Sequence, residues 1–128
     1  MRRSLVWLML LFALACSAPP MTPAGGVDGV WTLTSPPFTP VEPRSLSLHE
    51  QGSSVTGTAT AMGVDAPLPL TAAGAIQDTA LDLQLGYMST GENVGRITAI
   101  VRGDQLVGRI TVDTSFGGGA DSVTYTRQ

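Results

Sequence analysis

Two hydrophobicity patterns divide the chain. The first is an unbroken apolar run over residues 5–15, preceded by Arg2 and Arg3. The second begins at Gly29 and has period two, with apolar and polar residues alternating almost to the last position. Such alternation marks strands with one face buried and the other in water. It predicts eight strands, over 29–35, 44–50, 54–61, 68–76, 80–85, 95–102, 105–112 and 121–127. Trp31 and Leu33 share a face in the first, and Leu46 and Leu48 oppose Ser45, Ser47 and His49 in the second. Val55, Gly57 and Ala59 oppose Thr56, Thr58 and Thr60 in the third. Leu81, Leu83 and Leu85 oppose Asp82 and Gln84 in the fifth, and Val123, Tyr125 and Arg127 share a face in the last. Frequent Thr and Val suit this reading, and no long helical pattern survives beyond the leader.

The connections alternate in length. Gln51-Gly52, Gln77-Asp78-Thr79 and Gly103-Asp104 are tight turns with the Gly and Asp that such turns need. The connections 36–43, 62–67, 86–94 and 113–120 are longer. Successive antiparallel strands place alternate connections at opposite ends, so the long loops gather at one end and the tight turns at the other. An even number of short strands with one apolar face predicts an all-β, eight-stranded antiparallel up-and-down barrel, which leaves no free edge. A two-sheet β-sandwich is the alternative. The strands are too short, and aromatic residues too few, for a barrel that spans a membrane, whose strands need about 9–11 residues and aromatic girdles.

The leader has its own chemistry. Eleven apolar residues fall short of the roughly 20 that cross a bilayer and match the apolar segment of a secretory signal. The run ends in Ala13-Leu14-Ala15, and Cys16, the only cysteine, follows. This arrangement resembles the lipobox of bacterial lipoproteins. The resemblance implies that residues 1–15 are removed as a signal peptide and that Cys16 is lipidated as the first mature residue. Ordinary cleavage after Ala-Leu-Ala, leaving a free thiol, is the alternative. Ser17 is not the aspartate associated with inner-membrane retention, so the same resemblance points to the outer membrane of a bacterial envelope. Residues 16–28 then form the lipidated end and a Pro- and Gly-rich tether, and 29–128 the barrel. One cysteine allows no internal disulfide, so about 100 residues must stand on a single core.

Charge and side-chain chemistry exclude more than they offer. Arg2 and Arg3 lie in the leader, which leaves five arginines, no lysine and ten acidic residues, a net charge of −5 for the rest. That balance disfavours nucleic acid and a polybasic membrane contact, so membrane association rests on the Cys16 anchor. His49 is the only histidine and reads as a surface residue on a polar face. The carboxylates are scattered singly, with no dyad or metal-ligand spacing. The glycine run 117–119 lacks the lysine and the helix of a phosphate loop. The chain reads as a non-enzyme that uses no cofactor or metal.

Gly29-Val30-Trp31 at the start of the first strand, with Arg127 ending the last, resembles the calycin superfamily of lipocalins, fatty-acid-binding proteins and avidins. The resemblance implies that Trp31 closes the barrel with Arg127 over its ring. An avidin-type biotin site needs several inward tryptophans, and the body has only Trp31. Phe38, Met62, Tyr87, Met88 and Phe116 all fall in the long connections and form a candidate binding rim at the opposite end. Two functions follow as expectations: a lipid-anchored barrel that takes a small apolar ligand through that rim, or an envelope module whose rim meets a protein, as scaffold or inhibitor. A cavity among the long loops would favour the first, and a filled barrel the second.

Overall fold

The structure, a computed structural model, describes residues 26–128. The leader, Cys16 and the tether up to residue 25 lie outside the described residues. Eight strands follow in chain order: β1 (Gly29–Leu33), β2 (Pro43–Gln51), β3 (Ser54–Ala61), β4 (Leu68–Gln77), β5 (Ala80–Tyr87), β6 (Asn93–Arg102), β7 (Gln105–Val112) and β8 (Ala120–Arg127). Each pairs antiparallel with the next, and β8 returns to β1, so the sheet is a closed up-and-down barrel and not a sandwich.

The strands depart from the alternation mainly at the long-loop end. β5 runs on through Tyr87 and β6 starts at Asn93, because Gly86 pairs with Asn93 and the Tyr87 N–H donates to the Glu92 carbonyl at 2.7 Å. The loop between them shrinks to 88–92. β1 stops at Leu33, although the Thr34 N–H still reaches the Thr124 carbonyl at 2.8 Å. The 113–119 connection contains a single 3-10 turn, Thr114–Phe116, capped by the Asp113 side chain.

Alternation becomes a core because one face of every strand points inward. Leu83, Ile97 and Ile110 lie side by side across β5, β6 and β7, and burying each contributes about 1.5–3 kcal/mol. Inward glycines, Gly57 and Gly108 among them, mark where neighbouring strands press together. A Cβ on Gly57 would stand 1.9 Å from the Ser47 carbonyl oxygen, and one on Gly108 would stand 2.0 Å from that of Thr98. Only a residue without a side chain allows this approach. At the tight turns Gly52, Asp78 and Gly103 have φ of 64°, 57° and 61°. Asp78 is the one non-glycine with positive φ among the described residues, a conformation that aspartate tolerates through local hydrogen bonding.

Candidate functional site

The two ends of the barrel differ in kind. At the tight-turn end Trp31 is fully buried, and Arg127 stands directly opposite it in the β1–β8 register. The guanidinium lies 4.4 Å from the ring centroid. The resemblance paired these residues, and the structure brings them together. Arg127 also holds the incoming chain. Its Nη1 donates to the Asp28 carbonyl and its Nη2 to the Gly26 carbonyl, both at 2.6 Å. Val27, between them, is fully buried. Its carbonyl accepts from Trp31 Nε1 at 2.9 Å, and its N–H donates to Glu50 Oε1 at 2.9 Å. Residues 26–28, assigned to the tether by composition, therefore pack as a plug over this end. The signal missed was Val27, a lone apolar residue four positions before Trp31. His49 lies on the surface, with Nδ1 3.3 Å from the Asp28 carboxylate.

The long-loop end carries the predicted rim, but its residues divide into two groups. Tyr87 and Phe116 are half-buried against the core and meet edge to face, with ring centroids 6.3 Å apart. They cap the barrel. Phe38, Met62 and Met88 are exposed to 40%, 59% and 45%. Val64, which the sequence reading passed over, is exposed to 86%. Its signal was its place at the centre of a loop between Gly63 and Asp65. Two of the loops brace each other, the Gly63 N–H donating to the Pro40 carbonyl at 3.0 Å, and the Met88 N–H donates to the carbonyl of Pro69 in β4 at 3.3 Å.

Beneath the 34–42 loop lies a buried acid that the sequence did not suggest. Glu42 has no exposed surface. Its Oε2 accepts from the Phe38 N–H at 3.1 Å, while Oε1 has no hydrogen-bond partner. Burial pushes its pKa above the ordinary value, only partly offset by the Phe38 hydrogen bond. Tyr125, also buried, donates its hydroxyl to the Pro43 carbonyl at 2.7 Å. Burial, and then the Glu42 charge, push the tyrosine pKa up. A register shift between Pro43 and Ser45 makes this arrangement possible. Pro43 is buried by it, and Arg44 is turned to the rim of the outer surface.

The interior holds no chamber where the core is tightest. Trp31, Leu46, Val55, Leu70, Leu83, Leu85, Ile97, Leu106 and Tyr125 each have 0% exposure, so no water-sized space adjoins them. The concavities lie outside. One of about 550 Å³ is lined by Arg44, Met62, Val64 and Pro67 among others, and one of about 290 Å³ adjoins it at Phe38, Pro40 and Met62. A third, of about 570 Å³, lies on the wall over Ala80, Ile100, Val107 and Arg109, away from the long loops. Among the described residues no group of three or more His, Cys, Asp or Glu is placed to hold a metal ion. No family model, curated protein or solved structure matches the chain.

Proposed function

We propose that this protein is a lipid-anchored, non-catalytic module of the bacterial cell envelope, built on a calycin-like barrel, whose long-loop end binds a partner protein. The observation that carries the reading is the polarity of the molecule. Four of the seven exposed large apolar side chains among the described residues, Phe38, Met62, Val64 and Met88, gather in three loops at one end, while Val30, Ile100 and Val107 lie on strands, and the chain enters at the other end under the Arg127 clamp. An apolar cluster on an otherwise polar rim is the usual mark of a contact surface. The filled interior supports a surface contact over a ligand enclosed in the barrel. Nine residues separate Cys16 from Gly26, a reach of at most about 35 Å over the ten steps of chain. An anchor at Cys16 would therefore attach the domain by its clamped end. Ser17 supports the outer membrane as the anchoring surface.

A photo-crosslinking residue at Met62, compared with one at Thr58 on the wall, tests this reading in the native envelope. A discrete protein adduct at position 62 and none at position 58 is the expected result. Equal labelling at both positions, or none at either, refutes it. Cys16→Ser should move the protein to the soluble fraction; retention on membranes rules out the anchor. The groove of about 550 Å³ beside Met62 favours a second reading, a small apolar ligand held on the surface. Native mass spectrometry of the purified protein would reveal it as a retained mass.

A further inference from the structure

The groove at the loop end combines apolar walls with a cation that forms no ion pair among the described residues. Arg44 lines both the larger concavity, with Met62, Val64 and Pro67, and the smaller one, with Phe38 and Met62. No carboxylate of the described residues lies within 4.0 Å of its guanidinium. Its Nε is buried without a hydrogen-bond partner. Arg102 and Arg109 also lack an ion pair among the described residues, but neither has the buried, unpartnered Nε of Arg44, while Arg96 is engaged by Asp82 and Arg127 by Asp104 and the carbonyls of the plug. The buried Glu42 carboxylate feels the Arg44 charge, but no carboxylate of the described residues closes an ion pair on the guanidinium, which is therefore complementary to a single carboxylate with an apolar body. Asp65 lines the same groove and opposes a second negative charge, which argues against phosphate-rich or polyanionic partners.

We infer that this groove seats the carboxyl terminus of a partner polypeptide that ends in apolar residues, with the terminal carboxylate on Arg44 and the last side chains against Phe38, Met62 and Val64. Capture of a chain terminus this way needs one charge and a short apolar trough. The inference rests on the reading that the loop end is the binding end, and narrows it to one chemistry.

The test uses dansylated tetrapeptides ending in Leu, Val, Ile or Phe, each made as the free acid and as the C-terminal amide. Binding to the purified full-length protein is followed by fluorescence anisotropy. At least one free acid should bind about tenfold or more tightly than its amide, the worth of a hydrogen-bonded charge pair. Arg44→Gln should erase that difference and leave the weak amide binding unchanged, whereas Met62→Ser should weaken both forms. The acid–amide comparison on the unaltered protein needs no variant and stands even if Arg44→Gln fails to fold. Equal binding of acid and amide, binding of neither, or acid preference persisting in Arg44→Gln overturns the inference. So does a retained small carboxylate that no peptide displaces, which would assign the groove to a small molecule. A protein adduct at position 62 without peptide binding would sink this inference alone and leave the broader reading standing.

Discussion

Arg127 stacks on Trp31 from the opposite end of the chain, 4.4 Å from the ring centroid, while the same guanidinium donates to the Gly26 and Asp28 carbonyls. One side chain thus joins the last strand, the first strand and the incoming segment. The stack alone is worth about 0.5–2 kcal/mol, and each hydrogen bond from a charged donor adds to it.

Trp31→Ala should therefore cost about 3–5 kcal/mol in denaturant unfolding, through lost burial and the cavity left behind. Arg127→Ala should cost about 2–3 kcal/mol, more than the stack alone, because two carbonyls lose their donor. Protease cleavage near Val27 should also quicken in Arg127→Ala. If Arg127→Ala matches the unaltered protein in both measurements, the clamp is not a structural element.

Tyr125→Phe removes the donor to the buried Pro43 carbonyl at the other end of the barrel. The expected loss is about 1–3 kcal/mol, the penalty for stranding a buried acceptor. A loss under about 0.5 kcal/mol, within the range of an ordinary surface change, would mean that the carbonyl is satisfied without the hydroxyl.

Glu42 gives a pH dependence whose sign follows from its burial. Its folded pKa is raised from the ordinary 4.5, so the fold favours the neutral form. That contribution is complete below the unfolded pKa and is lost as pH rises through the folded one. Asp82 and Asp113, held low by the Arg96 and Ser115 hydrogen bonds, act in the opposite direction. The clean measurement is thus the difference between the unaltered protein and Glu42→Gln. The variant should gain relative stability from pH 4 to pH 8. A constant difference across that interval would show that Glu42 does not titrate differently on folding.

The two groups of rim residues should separate in mutagenesis. Replacing Tyr87 and Phe116 together by serine should cost about 2–4 kcal/mol, because the pair seals the core. Replacing Val64 and Met88 by serine should change stability by no more than about 0.5 kcal/mol while abolishing the position-62 adduct. Reversal of that order would exchange cap and contact surface.

Gly108→Ala should destabilise by about 1–3 kcal/mol or more, since the new methyl falls 2.0 Å from the Thr98 carbonyl oxygen and 2.5 Å from the Ala99 Cα. Gly91→Ala, which places a methyl in open space but at φ 75°, is the control for backbone strain without crowding. An equal loss in both would remove the case for close strand approach at Gly108.

The sequence by itself determined the strands, their inward faces and the two unlike ends, because side-chain alternation and turn length are local properties of the chain. Leu81, Leu83 and Leu85 had to share a face, and Gly103-Asp104 had to turn tightly, whatever lay around them. Closure was not local. A sandwich and a barrel share the same alternation, and only the pairing of Leu33 with Tyr125 and of Trp31 with Arg127 distinguishes them. The tertiary structure also decided which loop residues are covered. Tyr87 and Phe116 read like Met62 and Met88 in the sequence, yet the first two meet between the end of β5 and the 113–119 connection, and the others stay exposed. Glu42 and Val27 were illegible for the same reason. One is enclosed where the chain shifts register at Pro43, and the other by groups contributed from Trp31, Glu50 and Arg127, so their burial depends on neighbours brought from distant parts of the chain.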